Sequence, residues 1–472
     1  MTQPDTSVGG SVAKEATGFD VLILGGGSGG YACALRAAEL GLSVALVEAD
    51  KVGGTCLHRG CIPTKALLHA GEVADAVRES GQFGVSSTLD GVDLAAVNAY
   101  KDGVVARLYK GLQGLVSGRK ITVIAGHGVL VGPRTVEVDG TRYDGRHVVL
   151  ASGSSSRSLP GLEVDGIRVL TSEHALELAT LPEKAIVLGG GVIGVEFASA
   201  WRSFGVDVTI IEALPRLVPG EDDACSKALE RAFRKRGIAF KTQTPFRSAA
   251  TTDTGVTVTV ESGDTYEADL LLVAVGRCPR TADLGYEAQG IAMDRGFVLT
   301  DERLRTNVED VYAVGDIVPG WQLAHRGFQQ GIFVAEDIAG LDPAVIDEDG
   351  IPRVTYCEPE ISSVGLTEAK ARERYGDEQV ETLTYDLGGN GKSQILKTQG
   401  FVKLVRAKDG PVVGIHMVGS RVSELVGEAQ LIYNWEAFPS DVAALVHMHP
   451  TQNEALGEAH LALAGKPLHA HS

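Results

Sequence analysis

Two cysteines that lie close together in the sequence are the first candidates for chemistry. Cys56 and Cys61 enclose the segment Leu-His-Arg-Gly, and the other four of the six cysteines are scattered along the chain. Such a pair is more typical of a redox-active or metal-binding site than of a structural disulfide, and two unrelated buried cysteines are the plainer alternative. A disulfide needs Cα atoms within about 6.8 Å, so a bridge would require a distorted backbone, as at a loop-to-helix junction. Zinc needs four ligands, and because no second cysteine pair is present we predict no metal here.

A glycine motif directly precedes this pair. Residues 19–48 comprise a short apolar run, a glycine cluster, a helical pattern and a second apolar run that ends in Glu48. This order predicts a strand–helix–strand unit with G-x-G-x-x-G at Gly25, Gly27 and Gly30. The three glycines would permit, in turn, a tight turn, close approach of a pyrophosphate and close packing of the helix on the strand. The helix N-terminus offers amide donors to phosphates, and Glu48 would accept hydrogen bonds from ribose hydroxyls.

The same pattern returns in the middle of the chain. Residues 185–212 repeat the order, with glycines at Gly189, Gly191 and Gly194 and an acid at Glu212. The interval from first glycine to acid, 25 to 48 and 189 to 212, is 23 residues in both copies. One such motif is weak evidence, but two copies with the acid at the same offset are specific. We therefore predict that the chain binds two dinucleotides.

The composition limits the classes of protein that this chain can be. Its 472 residues are 44% hydrophobic and 22% charged, enough apolar material for several cores. The net charge is −18 without a dense basic run, so nucleic acid and anionic membrane are poor partners. No apolar stretch reaches the roughly 18–20 residues of a membrane helix, and the polar N-terminal segment does not resemble a signal peptide. Since the chain is no disulfide scaffold, we expect a cytoplasmic protein.

Together these motifs resemble the flavin disulfide reductases, the class I pyridine nucleotide-disulfide oxidoreductases. The resemblance rests on GGTCLHRGCIPTKALL, the two dinucleotide units, VYAVGD and HMHPTQNE, and it covers nearly the whole chain. Within the family, the motifs are most similar to those of dihydrolipoamide dehydrogenases. The predicted fold class is α/β, with two Rossmann-like dinucleotide-binding domains and a C-terminal α+β interface domain. The resemblance implies FAD at the first unit, NAD at the second, a redox-active disulfide between Cys56 and Cys61, and a homodimer.

Changes of pattern along the chain place the domain boundaries. Residues 121–150 and 240–275 alternate short apolar segments with turn residues, so we predict a β-meander in each. New strand patterns after residue 347 indicate the last domain. The predicted segments are a disordered N-terminal arm (1–18), the first part of the FAD-binding domain (19–157), the NAD-binding domain (158–281), the second part of the FAD-binding or central domain (282–346) and the interface or dimerisation domain (347–472).

The resemblance also assigns roles residue by residue. Cys61 would be the thiol against the flavin, and Cys56 the interchange thiol that reacts with the substrate. Lys65 would lie near the flavin and pair with Glu196 on the helix of the second unit, while Asp316 would hold the ribityl chain. The other positions implied to contact a cofactor are Gly128, Ser152, Gly153, Ser154, Gly276, Gln322, Leu323, Ala324 and His325.

A histidine near the C-terminus is the candidate base. His449 precedes a proline, and Glu454 lies five residues on. A carboxylate that holds one ring nitrogen leaves the other available as a general base. In the family this pair comes from the neighbouring subunit and takes a proton from the dithiol substrate. His447 two residues earlier makes a metal site conceivable, but no third ligand stands out.

The resemblance implies oxidation of protein-bound dihydrolipoamide to lipoamide by NAD⁺. The partners would be a second copy of the chain and the lipoyl domain and acyltransferase core of a 2-oxoacid dehydrogenase complex, or a glycine cleavage carrier. The alternative is an NAD(P)H-dependent reductase of a small disulfide such as mycothiol or glutathione disulfide. Users of NADPH typically carry an arginine after the second strand, where Glu212 would instead repel a 2′-phosphate. Arg216, four residues on, is a weaker candidate for that phosphate.

Two further interpretations of the sequence, and one departure from the family pattern, bear on the substrate. A mercuric reductase would need an extra C-terminal cysteine pair, whereas the last cysteine is Cys357. A non-enzymatic subunit with this fold is opposed by the occupation of every catalytic position. His58 and Arg59 stand where many relatives carry asparagine and an apolar residue, and their positive charge would favour the Cys56 thiolate.

Overall fold

The computed structural model describes residues 17–469, which form two compact units. The described parts of the first unit are residues 17–58, 107–155 and 278–346, and those of the second are residues 59–106, 156–277 and 347–469. The predicted arm, 1–18, lies outside the described residues except for its last two, which begin the first strand. None of the helices in this described part is long and apolar enough to span a membrane. The domain boundaries given above stay predictions.

The helices and strands are numbered in chain order. Those up to residue 211 are β1 (Thr17–Leu24), α1 (Ser28–Glu39), β2 (Val44–Glu48), α2 (Gly54–Arg59), α3 (Cys61–Glu79), α4 (Leu94–Gly118), β3 (Thr122–Ala125), β4 (Gly128–Gly132), β5 (Thr135–Val138), β6 (Thr141–Leu150), β7 (Ser154–Ser156), β8 (Val169–Leu170), α5 (Ser172–Ala175), β9 (Lys184–Leu188), α6 (Val192–Ser203) and β10 (Asp207–Ile211). The remainder are α7 (Asp223–Arg236), β11 (Ala239–Lys241), β12 (Phe246–Thr251), β13 (Val256–Val260), β14 (Thr265–Ala268), β15 (Leu270–Val273), β16 (Arg277–Pro279), β17 (Met293–Asp294), β18 (Phe297–Val298), β19 (Val311–Ala313), α8 (Ala324–Ile338), β20 (Arg353–Thr355), β21 (Glu360–Gly365), α9 (Glu368–Tyr375), β22 (Val380–Asp386), α10 (Gly391–Leu396), β23 (Phe401–Ala407), β24 (Val412–Gly419), α11 (Val422–Asn434), α12 (Pro439–Ala443) and α13 (Glu454–Leu463).

The first unit is built around a seven-stranded sheet. Strands β3, β2, β1 and β6 lie side by side and parallel, and β19 also pairs with β6 in parallel. Residues 21–24 of β1 are apolar and at most 5% exposed, as expected of a parallel strand that is covered on both faces. Helix α1 follows β1 and ends just before Gly41, whose φ of +85° suits a glycine at a helix end.

The second unit contains three sheets. One has five parallel strands in the order β11, β10, β9, β15 and β8, and its segment β9–α6–β10 repeats the β1–α1–β2 pattern of the first unit. Strands β12, β13 and β14 form a small antiparallel sheet. The third sheet is antiparallel in the order β20, β21, β24, β23 and β22, and α11 and α13 pack on it. The predicted two Rossmann-like units and the α+β C-terminal region are therefore present.

The two predicted β-meanders were too long. Within these two stretches only β4–β6 and β12–β14 form antiparallel meanders, because β3 pairs in parallel with β2, β11 with β10, and β15 with β9. Burial separates the two kinds of strand: every residue of β15 is buried, whereas burial in β13 alternates from residue to residue. An unbroken apolar run such as that of β15 indicates a strand inside a parallel sheet.

A buried ionic network in the second unit joins α7, α9 and β23. Lys403 is 8% exposed, and its Nζ lies 2.8 Å from Oδ1 of Asp222 and 2.7 Å from Oε2 of Glu368. Asp222 also caps α7 by accepting a hydrogen bond from the backbone N–H of Ala224 at 3.0 Å. Burial would raise the pKa of Asp222, but the positive charges of His416 and Lys403 outweigh it, and the pKa is lowered. Asp222 is therefore charged in the folded protein, where it pairs with Lys403 and also caps α7.

We predict that Asp222→Ala destabilises the protein by about 3–5 kcal/mol, because it leaves Lys403 buried with one partner fewer and removes a helix cap. Thermal unfolding of the purified protein at pH 7 measures this loss. Asp223→Ala is the matched control, since the neighbouring side chain is 54% exposed and its loss should be nearly silent. The lowered pKa means that the contribution of Asp222 is present above about pH 4 and is lost as the pH falls further. Equal losses in the two variants at pH 7 would contradict the prediction.

Candidate active site

The first glycine turn is shaped by backbone contacts that leave no room for a side chain. Gly25 has φ +110°, and a Cβ on it would lie 2.3 Å from the backbone oxygen of Ala151. A Cβ on Gly30 would lie 1.8 Å from the backbone oxygen of Gly25, so the helix packs directly on the turn. Gly27 differs, because no heavy atom of the described chain lies within 4 Å of its added Cβ. Gly25 and Gly30 thus serve packing, and Gly27 leaves an open face at the N-terminus of α1.

The second glycine turn repeats this geometry. Gly189 has φ +109°, and its added Cβ would lie 2.4 Å from the backbone oxygen of Ala274. A Cβ on Gly194 would lie 2.0 Å from the backbone oxygen of Gly189. The Cβ of a substituted Gly191 would again meet none of the described heavy atoms within 4 Å. Each turn therefore keeps one open position at a helix N-terminus, which is the arrangement that receives a pyrophosphate.

The acids at the ends of β2 and β10 are fixed by the glycine turns themselves. Oε2 of Glu48 accepts a hydrogen bond from the backbone N–H of Gly26 at 2.7 Å. Oε2 of Glu212 accepts from Gly190 at 2.5 Å, and its Oε1 accepts from Leu214 at 2.6 Å. Each carboxylate is thereby held beside its own glycine turn, where it can also accept from a ribose hydroxyl.

Three of the predicted flavin contacts come together in the first unit. Ser154 Oγ donates to Oδ2 of Asp316 at 2.5 Å, and Gln322 Nε2 donates to the backbone oxygen of Asp316 at 3.3 Å. The predicted stretch 322–325 is the start of α8, where Leu323 is the N-cap and Ala324 the first helical residue. Helix N-termini carry amide donors and a partial positive charge.

The remaining predicted cofactor positions divide into packed and open ones. A Cβ on Gly128 would lie 2.6 Å from a side-chain atom of β1, so close packing explains this glycine. Ser152 Oγ donates to a backbone carbonyl at 2.5 Å. Gly153 and Gly276 have φ of +73° and +107°, and among the described residues no atom lies within 4 Å of a Cβ added to either.

The two cysteines lie at a break between helices. Cys56 is in the short helix α2, and Cys61 is the first residue of α3. Gly60 between them has φ −139° and ψ −112°, which is the non-helical backbone that a bridge between residues five apart would require. Cys56 belongs to the first unit and Cys61 to the second, and both side chains are partly buried. In the first unit, burial and then the charge of Cys56 raise the pKa of Tyr31 to about 12.

The two unusual residues between the cysteines are both engaged. His58 Nε2 lies 3.0 Å from the backbone oxygen of Val52, and its ring packs edge-on against Tyr109 with centroids 4.8 Å apart. In the second unit, the Arg59 guanidinium lies 3.8 Å from Oε2 of Glu173, which offsets part of its positive charge.

The predicted pair of Lys65 and Glu196 is formed within the second unit. Lys65 Nζ lies 2.9 Å and 3.1 Å from the two carboxylate oxygens of Glu196, a side chain that is 3% exposed. The backbone N–H of Tyr356 donates to the same carboxylate at 2.9 Å, and its ring centre lies 4.6 Å from Nζ. Burial would lower the pKa of Lys65, but the negative charges of Glu196 and Cys61 outweigh it, and the pKa is raised. The ammonium is therefore kept charged near the Cys61 sulfur.

The predicted pair of His449 and Glu454 is also formed. His449 Nδ1 lies 2.8 Å from Oε1 of Glu454, while Oε2 accepts from the backbone N–H of Thr451 at 2.7 Å. Burial would raise the pKa of Glu454, but these two contacts outweigh it, and the pKa is lowered. The His449 side chain is 78% exposed, so Nε2 faces outward from the described chain. A charged carboxylate on Nδ1 fixes the ring so that Nε2 can accept a proton.

Comparison with known proteins decides the family. The sequence profile described as pyridine nucleotide-disulphide oxidoreductase matches residues 19–331, and the profile of the dimerisation domain of these enzymes matches residues 351–460. The chain belongs to the pyridine nucleotide-disulphide oxidoreductase family. The predicted family and fold class are thereby confirmed.

Individual relatives of this oxidoreductase match it along nearly its whole length. A dihydrolipoyl dehydrogenase of Bacillus subtilis is 40% identical and covers 96% of this chain and all of its own length. The mitochondrial dihydrolipoyl dehydrogenase of Pisum sativum is 37% identical over 95% of this chain and 92% of its own. Among solved structures, LpdA of Mycobacterium tuberculosis superposes with a TM-score of 0.88 at 27% identity, covering 94% of this chain and 99% of its own.

Sequence reasoning missed two contacts of the oxidoreductase site. Tyr356 completes the surroundings of Glu196, yet it lies 160 residues away and in no recognisable motif. His447, considered as a metal ligand, instead has Nε2 2.9 Å from Oε1 of Glu428. No group of three or more metal-ligating side chains was found within residues 17–469. No motif in the sequence pointed to Glu428.

We predict that alanine at Gly191 and at Gly194 separates cofactor binding from folding in the oxidoreductase. Gly191→Ala should leave thermal stability nearly unchanged but weaken nucleotide binding at least tenfold, because the new methyl occupies the open face of the turn. Gly194→Ala should lower stability by about 1–3 kcal/mol, because its Cβ cannot fit against the Gly189 carbonyl. Thermal unfolding and titration with NADH measure the two effects. Equal behaviour of the two variants would refute the assignment.

Proposed function

We propose that this oxidoreductase is a dihydrolipoyl dehydrogenase, which oxidises protein-bound dihydrolipoamide to lipoamide with NAD⁺ by means of FAD. The observation that carries the proposal is the full-length match to dihydrolipoyl dehydrogenases, at up to 40% identity with the relatives described above. The formed pairs Lys65–Glu196 and His449–Glu454 supply the ionic and acid–base groups that this chemistry needs.

The two glycine turns are where the proposed cofactors bind. FAD would lie over the open face of Gly27, with Glu48 on a ribose and Asp316 on the ribityl chain. NAD would lie over the open face of Gly191, with Glu212 on a ribose. Both sites fit a dinucleotide, because each leaves an uncovered backbone at a helix N-terminus beside an ordered carboxylate.

The surroundings of the second site favour NAD over NADP. Glu212 presents a carboxylate where an additional phosphate would lie, and like charges repel. Arg216, the one alternative anchor that the sequence offered, is bound elsewhere: it lies 3.2 Å from Asp223 and donates to the backbone oxygens of Pro219 and Glu221 at 3.1 Å. A 2′-phosphate would therefore have to displace Arg216 from three contacts.

The proposed reaction begins with the cysteines joined as a disulfide. His449 takes a proton from the dithiol, and the resulting thiolate attacks Sγ of Cys56, so that a mixed disulfide forms and Cys61 leaves as a thiolate. The second substrate thiol then attacks the substrate sulfur of the mixed disulfide and passes its proton to the departing Cys56 sulfur, so that lipoamide is released and Cys56 is left as a thiol. Bound FAD would supply the two-electron transfer from the cysteine thiols to NAD⁺, and Gly27, Glu48 and Asp316 would hold it. Lys65, held charged by Glu196, stabilises the Cys61 thiolate.

The exposed side of the His449 loop supports a homodimer. Val446 is 95% exposed and Met448 66%, although both are apolar. Apolar side chains at this exposure mark a surface that a partner covers, and the dimerisation profile includes them. A second copy is the proposed partner, so that His449 would serve the cysteines of the other subunit. The proposed setting is the cytoplasm, with a lipoyl domain and the acyltransferase core of a 2-oxoacid dehydrogenase complex, or a glycine cleavage carrier, as further partners.

One assay tests the proposal against its alternative. Purified protein is given NAD⁺ with dihydrolipoamide, and in parallel NADPH or NADH with glutathione or mycothiol disulfide. We expect turnover of the first pair and little of the others. Preferential reduction of a small disulfide by NADPH would replace the proposed function with the reductase.

We predict that the two cysteines give different spectra when each is replaced. Cys56→Ser leaves Cys61 as a single thiolate beside the flavin, and a long-wavelength charge-transfer absorption band should appear in the oxidised enzyme. Cys61→Ser, the matched control, removes that thiolate and should lack the band. Absorption spectra of the two variants decide it. The opposite pattern would mean that Cys56 is the thiol against the flavin and Cys61 the interchange thiol. Absence of the band in both variants would contradict a cysteine site beside the flavin.

We predict that His449→Gln slows dihydrolipoamide oxidation by about 10²–10⁴-fold, the usual contribution of general acid–base catalysis. Oxidation of NADH by an artificial electron acceptor does not need the dithiol base and should change little. Glu454→Gln should lose less, because the ring remains while its charge support weakens.

The proposed dimer gives this prediction a second form. A heterodimer of His449→Gln and Cys56→Ser chains has one site built from two intact halves. It should recover dihydrolipoamide oxidation at that site. Lack of recovery in a heterodimer confirmed by mass would place base and disulfide in the same chain.

A further inference from the structure

A second carboxylate holds the segment that carries His449 without touching His449 itself. We call residues 446–453, which precede α13, the base loop. From the middle of α11, Glu428 extends its carboxylate to this loop. Its contacts lie entirely within the second unit.

Glu428 binds the base loop near both of its ends. Its Oε1 lies 2.9 Å from Nε2 of His447, and its Oε2 accepts a hydrogen bond from Nδ2 of Asn453 at 2.6 Å. His449 lies between these two residues in the sequence. One side chain thus fixes the chain on either side of the base, and neither contact uses the base.

The His447 ring is held by packing as well as by its hydrogen bond. Its side chain is 10% exposed, and its Nδ1 would lie 2.5 Å from a Cβ at Gly457, so the ring packs directly on the backbone of α13. The hydrogen bond and charge of Glu428 raise the pKa of His447 in spite of burial. Burial would raise the pKa of Glu428, but its bonds to His447 and Asn453 outweigh it, and the pKa is lowered. Both shifts favour the charged forms, so they support a charge-assisted contact between the two side chains.

The middle of the base loop is held separately. Glu454 contacts His449 and the backbone of Thr451, and Asn390 Nδ2 donates to the backbone oxygen of Thr451 at 2.9 Å. Glu454 orients the ring, but it does not determine where the loop lies on α11. From α11, Glu428 contacts the loop near both of its ends.

We propose that Glu428 is a positioning residue for the base, which clamps His447 and Asn453 so that His449 is presented at a fixed place with Nδ1 on Glu454. This inference rests on the proposed function. Catalytic groups displaced by about 1 Å can lose on the order of 10²-fold in rate, so a clamp remote from the reacting atoms is kinetically important. Glu428 acts through His449 and makes no contact with substrate.

The test compares Glu428→Ala with Glu424→Ala, which removes an exposed acid one turn earlier on α11. Glu428→Ala should slow dihydrolipoamide oxidation by about 10–100-fold. Both variants should keep NADH oxidation by an artificial acceptor, and Glu424→Ala should keep both reactions, within about twofold. A Glu428→Ala variant that matches Glu424→Ala, or that loses both reactions equally, overturns the proposal.

Two further variants separate positioning from other roles. Glu428→Gln keeps the shape of the clamp. Its side-chain oxygen can accept from Asn453, and its amide nitrogen can donate to His447 if the imidazole adopts the other tautomer. We therefore expect most of the dihydrolipoamide rate to be retained. A loss as large as that of alanine would mean that charge, not position, matters. In a His449→Gln background, Glu428→Ala should have no further effect on the dihydrolipoamide rate. A further loss by the same factor would show that Glu428 does not act through His449.

Failure of the proposed function would be visible in the same experiment. If the parent enzyme does not oxidise dihydrolipoamide, or His449→Gln leaves that rate unchanged, the proposed function or its base is wrong, and this inference is wrong with it. Should Glu428→Ala not fold, Asn453→Ala removes only one of the two bonds. It should give a smaller loss confined to the dihydrolipoamide reaction, and no loss would overturn the clamp.

Discussion

The architecture depends on two glycine turns that each connect a strand to a helix. At both, the helix backbone packs directly against the backbone of the turn. At Gly30 and at Gly194 an added Cβ would lie 2.0 Å or less from a carbonyl oxygen of the preceding turn. Only glycine permits this approach, and it brings the helix N-terminus and the strand end together as one rigid corner. The order of β1, α1 and β2, and of β9, α6 and β10, follows from it. So does the position of every group that is proposed to meet a dinucleotide.

In the second unit, two buried charged side chains are each held by more than one partner. Glu196 accepts hydrogen bonds from Lys65 and from the backbone N–H of Tyr356. Lys403 pairs with the carboxylates of Asp222 and Glu368. Such groups are costly to bury alone, because desolvation outweighs a single weak contact. Their value here is geometric: each fixes a helix to a neighbouring strand or loop. The base loop, residues 446–453, is held in a similar way by two carboxylates.

How much of this the sequence could predict depended on the distance between the partners. The glycine turns and their acids were predictable, because the groups in contact lie within one strand–helix–strand unit. His449 and Glu454 are only five residues apart, but the resemblance to a family was what singled them out. Lys65 and Glu196 are 131 residues apart, and only resemblance to a family joined them. Tyr356 and Glu428 carried no signal, because a helix or strand position does not reveal which distant loop packs on it. The meanders were predicted too long because an apolar strand of a parallel sheet, such as β15, follows directly on the alternating strands of the meander.

The double anchoring of Glu212 has a consequence for the energetics of recognition. Its two oxygens are already bonded to the backbone amides of Gly190 and Leu214, so its rotamer is fixed before any ligand arrives. The entropy of ordering that side chain, about 1.5 kcal/mol for a fully mobile glutamate, is lost once during folding and not again at each encounter. A glutamine there would keep only one acceptor oxygen and would have to abandon one amide. The glycine turn itself therefore requires the acid, apart from any ligand.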